Sequence, residues 1–114
     1  MALSSFLQQL NTSVDSIEFN DVMKIINEYY IYTPVTFSNG ELINNAGTNE
    51  GSCKIFAFAL LHNLTEQKTL ACFGKFYRED VLLNPNRDDH GNIRTFIKLG
   101  WNGISFPSAA LVPR

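Results

Sequence analysis

The sequence is short of several things that would narrow its function at once. It holds only two cysteines, Cys53 and Cys72, in 114 residues. That is too few for a disulfide scaffold, so a reducing compartment with free thiols is the simpler setting. It has no run of Lys and Arg, and its formal net charge is -2. Nucleic acids and anionic membranes are held by concentrated positive charge, so neither is an expected partner. No apolar stretch approaches the ~20 residues of a membrane span. The N-terminus has no basic segment followed by an apolar block, which argues against a standard secretory signal. Repeats and low-complexity linkers are also missing.

What is present is the composition of a packed core. Apolar residues make up 45% and charged residues 18%, with nine Phe, four Tyr and one Trp. Such a balance excludes an extended disordered chain, and the length suits one domain. Residues 1–108 read as that domain. Leu111-Val112-Pro113-Arg114 has the form of a thrombin-cleaved tag remnant, with Ala109 and Ala110 as vector residues, so 109–114 are set outside the fold.

Periodicity predicts a mainly α domain of about five helices with a short β-hairpin between helices two and three. Leu3, Phe6, Leu7 and Leu10 mark one face of the first helix. Phe19, Val22, Met23, Ile26 and Tyr30 mark the second, with Pro34 as its stop. Val35-Thr36-Phe37 and Leu42-Ile43 could pair about an Asn39-Gly40 turn. Ser52 is the expected cap of the third helix, and Ile55 to Leu64 leave it almost no polar face, so it should be central. Thr65 caps a fourth helix with Leu70, Phe73, Phe76 and Tyr77 inward. Asp88 or Asp89 caps a fifth, with Ile93, Phe96 and Ile97 inward and Gly100 as its stop.

One segment suggests chemistry. Gly47-Thr48-Asn49-Glu50-Gly51-Ser52-Cys53 puts a cysteine in the first turn of a helix, where free N–H groups and the dipole favour thiolate. His90 is the better base, and Asp89 or Asn92 could orient it, so Cys53, His90 and Asp89 form a candidate catalytic set. The competing reading is that Cys53 packs, because free cysteine is among the most buried residue types. The same glycine-rich helix start could hold an anion, with Lys54 and Arg94 adding charge, although Glu50 opposes it and the P-loop ending is absent. Glu50, Asp88, Asp89 and His90 match no metal module, so neither a metal nor a cofactor is expected. The aromatics Tyr29, Tyr30, Tyr32, Phe37 and Trp101 read chiefly as core.

Several blocks together carry a family likeness. They are Tyr32-Thr33-Pro34 with Phe37-Ser38-Asn39-Gly40, Asn49-Glu50-Gly51-Ser52-Cys53-Lys54-Ile55-Phe56-Ala57-Phe58-Ala59, and Thr69-Leu70 with Phe73-Gly74 and Tyr77-Arg78. His90-Gly91-Asn92-Ile93-Arg94 with Phe96, and Gly100-Trp101 with Gly103-Ile104 and Phe106, complete the set. In this order they resemble the HopJ type III effector family over about residues 17 to 106. The resemblance implies a small bacterial protein of the cytoplasm, secreted through a type III system. An uncharged, Ser-rich start before Asp15 is compatible with that route. The resemblance brings no catalytic residues with it. It does group Asn49, Glu50, Ser52, Asn92 and Arg94 as candidate ligand-binding residues. The leading expectation is a protein that binds a partner protein or small ligand; the alternative is a thiol-dependent hydrolase or transferase.

Overall fold

Two amphipathic helices lead the chain in the computed structural model, which describes residues 2–114. α1 (Leu3–Thr12) buries Phe6 and Leu10, the predicted face. α2 (Phe19–Tyr29) buries Val22, Ile25 and Ile26. It stops well before Pro34, because Tyr30 turns extended (φ -133°, ψ 153°) and begins β1 (Tyr30–Tyr32). A Tyr-Ile-Tyr run favours a strand, and here it has a partner. β5 (Leu111–Pro113) pairs with it antiparallel, Tyr30 opposite Pro113 and Tyr32 opposite Leu111.

Residues 110–113, which lie in the segment set outside the fold by sequence, are thus packed or paired in the structure. Ala110 and Leu111 lie in the core, and Thr33 N donates to Ala110 O at 2.8 Å. Burying a leucine side chain contributes about 2 kcal/mol, so this segment helps to hold the fold.

β2 (Phe37–Asn39) and β3 (Leu42–Asn44) pair antiparallel, with Asn39 opposite Leu42. The two-residue loop is therefore Gly40-Glu41, one position later than Asn39-Gly40. Gly40 takes φ +60° at the first loop position, where a tight hairpin loop demands glycine. Asn39 is thereby left in the strand, and it is buried. β4 (Ile104–Ser105) pairs along the other edge of β2.

α3 (Glu50–Leu61) is the axis of the molecule and buries Cys53, Ile55, Phe56, Ala57, Phe58 and Ala59. Around the Phe56 ring lie Phe37, Phe73, Phe96 and Trp101, with centroids 5.1–6.3 Å away. α4 (Glu66–Ala71) is capped by Thr65, whose Oγ1 accepts from Lys68 N.

The single fourth helix expected through Tyr77 is in fact two pieces. Gly74 sits at φ +59°, and a Cβ there would lie 2.7 Å from Phe19 N. The chain presses onto the start of α2 at that point, and only glycine fits. A π-helical turn (Phe76–Val81) follows. α5 (Gly91–Leu99) buries Asn92, Ile93 and Phe96, whereas Ile97, expected inward, is 46% exposed. Gly100 ends it at φ +61°. Among the described residues no helix is long and apolar enough to cross a membrane.

Candidate functional site

α3 and α5 start in the same unusual way. Asn49 precedes α3 at φ 49°, ψ 45°, and His90 precedes α5 at φ 52°, ψ 50°. Both are left-handed, a conformation that Asn and His tolerate better than most residues. The expected caps are therefore displaced. Ser52 is the third residue of α3, and Asp88 and Asp89 lie outside α5.

The first turns of both helices open on one cleft of about 200 Å³. Phe19, Phe73, Phe76 and Ile93 form its apolar wall, and Asn49, Ser52, His90 and Asn92 supply polar groups. Gly51 and Gly91 line it between them. The first N–H groups of a helix have no partner within it, so two sets of donors meet at this cleft.

Behind the cleft, four amides tie the two helix starts to the hairpin. Asn92 Nδ2 donates to Asn44 Oδ1 at 2.9 Å, and Asn44 Nδ2 donates back to Asn92 Oδ1 at 3.1 Å. Asn39 Nδ2 donates to Asn92 O at 2.9 Å and to its Oδ1 at 3.2 Å. Asn49 Nδ2 donates to Asn44 Oδ1 at 2.8 Å. Asn39, Asn44 and Asn92 are buried, so each unmade bond here would carry a desolvation cost. The sequence reading missed Asn39 and Asn44, treating the first as a turn residue. The five-residue recurrence Asn39, Asn44, Asn49 was the available signal.

The charged residues sort differently. His90 Nε2 lies 3.0 Å from Asp80 Oδ2, another residue the sequence reading missed, and its ring tilts over Phe76 at 5.2 Å. Arg94 Nη2 lies 2.7 Å from Asp89 Oδ1 and also donates to Asn84 O, while its Nε donates to Asp89 O. The guanidinium thus clamps the loop before α5 and is not one of the cleft walls. Beside it, the Asp89 carboxyl is held below its usual range, chiefly by the Arg94 hydrogen bond. Glu50 is exposed and lies beside Tyr32 and Cys53 rather than in the cleft.

Cys53 and His90 share no hydrogen bond among the described residues. Cys53 follows Ser52 but is 1% exposed and packed in the core. Burial pushes its thiol up, against the smaller opposing pull of the Tyr32 side chain and the Val35 backbone. Desolvation therefore outweighs the helix start at this position. Cys72 is more deeply enclosed, and its thiol is pushed up to about 12 by burial. Among the described residues no three His, Cys, Asp or Glu side chains converge as a metal-ligand set.

Comparison with known proteins bears on the polar blocks that build this cleft. The model of the HopJ type III effector protein family matches residues 3–111. The chain belongs to the HopJ family. The match includes the whole cleft and reaches Leu111 of β5, one of the residues that had been set aside. A crystal structure of VPA0580, a protein of unknown function, is also similar. It shares 52% identity with a TM-score of 0.98, covering 100% of this HopJ chain and 95% of the other. No curated protein matches the chain.

Proposed function

We propose that this HopJ-family protein acts by binding, and that the cleft between α3 and α5 receives a small ligand. The ligand would carry a hydrogen-bond acceptor beside an apolar part. One observation carries the reading: the first turns of two helices, whose leading N–H groups have no partner within the helix, line one cleft that also has an aromatic wall. Asn49, Ser52 and Asn92 fit this role by position. Arg94 supports it indirectly by fixing the loop that sets His90, and Glu50 lies outside the walls. Export through a type III system rests on the family's name and on the uncharged start of the chain.

The thiol-dependent hydrolase or transferase built on Cys53, His90 and Asp89 has less support. A buried thiol with a raised pKa is a poor nucleophile, and Asp89 is spent on Arg94.

A titration of the ¹⁵N-labelled protein with small aromatic acids and amides tests the binding reading. The backbone amides of Gly51, Ser52, Gly91 and Asn92 should shift together, and Ser52→Leu, which narrows the cleft, should abolish the shifts. Uniform silence at these amides up to about 10 mM probe, where even ~mM affinity would register, sinks the proposal.

A further inference from the structure

A second concave surface lies on the far side of the Arg94 clamp. Val81, Leu82, Pro85, Arg87, Ile97 and Lys98 line a groove of about 280 Å³, with Arg94 alongside them. It does not share a wall residue with the cleft. No acidic residue lines it, although the chain as a whole is net negative.

The charges there are only partly answered. Arg94 is 15% exposed and committed to Asp89 and backbone carbonyls. Arg87 reaches the same Asp89 at 3.4 Å but stays 62% exposed. Lys98 forms no ion pair among the described residues. One carboxylate thus faces two guanidinium groups and a free ammonium, and the groove keeps a positive rim. Its apolar part is open as well. Leu82 and Ile97 are about half exposed in the groove, and neighbouring Leu83 is 72% exposed. Single exposed leucines need no explanation, but an apolar group inside a one-sign rim has the form of a docking surface.

We propose that this groove docks an acidic segment of a partner protein, with carboxylates on Arg87 and Lys98 and aliphatic side chains on Leu82 and Ile97. Charge complementarity selects this occupant. A basic segment would be repelled, and a neutral one would leave the rim cations without counter-charges.

Fluorescence anisotropy of the full chain tests it, with a labelled peptide Glu-Glu-Leu-Leu-Glu-Glu-Leu as probe. Versions with every Glu replaced by Gln or by Lys serve as controls. The acidic peptide should bind, and ¹⁵N shifts should map to Leu82, Arg87, Ile97 and Lys98. Lys98→Glu should weaken binding roughly tenfold by turning an attraction into a repulsion. Ile97→Ser should weaken it by a similar factor, since both positions are exposed enough to leave the fold intact. Salt at about 0.5 M should weaken binding of the acidic peptide markedly. Equal binding of the Gln peptide, or shifts that map elsewhere, overturns the proposal. So does a lack of binding at millimolar peptide. Concentration-dependent shifts at these same residues in the free protein would make a second copy the occupant and also overturn it.

Discussion

The starts of α3 and α5 look like copies of one device, yet their side chains do opposite work. Both begin from a left-handed residue and open on the same cleft. Asn49 turns its amide back into the Asn44–Asn92 network, whereas His90 turns its ring outward to Asp80. Within the first four residues of each helix the contrast reverses. α5 sends Asn92 into the buried network, and α3 sends the apolar thiol of Cys53 into the core. Backbone geometry at a helix start therefore does not fix what its side chains do. The neighbouring element decides: the hairpin captures amides, and the core captures the thiol.

The largest way to break this comparison is Asn92→Ala. It removes the three bonds of the Asn92 side chain and leaves Asn44 Nδ2 without a partner, while Asn39 keeps Asn92 O and Asn44 Oδ1 keeps Asn49, so unfolding by urea should show a loss of about 3 kcal/mol. A smaller effect separates the two left-handed residues. Asn49→Gly loses a bond to the network and should cost about 1 kcal/mol. His90→Gly loses a part-buried contact with Asp80 and the ring packing on Phe76 but gains a residue at ease with positive φ, so it should fall within about 0.5 kcal/mol of the parent. Equal losses at 49 and 90 would mean that the two starts are alike after all.

Acid titration sharpens the α5 side. Asp89 has a folded pKa lowered from 3.8, chiefly by Arg94. It therefore contributes stability that is present above the unfolded pKa and lost as pH falls through the folded value. Arg94→Gln should flatten stability against pH in that acid window and leave the neutral range unchanged in slope. At the far end of α3, burial lowers the pKa of His62 from 6.5, beside its hydrogen bond with Tyr30. Stability there is present above about the unfolded value and lost as pH falls below it towards the folded one. His62→Gln should remove that smaller dependence. The smallest expected effect is chemical. Native protein should resist thiol alkylation at both cysteines, and labelling should appear only with unfolding.

The helical faces of α1, α2 and α3 were legible because apolar periodicity is a local signal. Thr65 and Gly100 were legible as a cap and a stop for the same reason. The misplaced features all depend on partners distant in sequence. Tyr30 reads as the last residue of a helix, and Ile31 and Tyr32 as loop, until Leu111–Pro113 is allowed to pair with them. The fourth helix reads as continuous until Gly74 meets the backbone of Phe19. Ile97 reads as inward because its spacing from Ile93 is right, but the adjoining surface carries no element to cover it. The cleft was half visible. Asn49, Ser52, His90 and Asn92 were singled out from polar blocks near helix starts. Asn39, Asn44 and Asp80 were not, since only the folded hairpin and the π-helical turn bring them there. For Cys53 the sequence offered both a nucleophile at a helix start and a packed thiol; the structure packs it, because one residue beyond Ser52 is a 100° rotation about the axis.

The pairing of β1 with β5 also sets an order of events during synthesis. Tyr30–Tyr32 leaves the ribosome early and waits for residues about eighty positions further on before its backbone groups are matched. Helices α1 to α3 can gather through nearby contacts, but the flank of the core that Ala110 and Leu111 cover stays open until then. A nascent chain shorter than this therefore leaves that flank of the core uncovered rather than forming a smaller native domain.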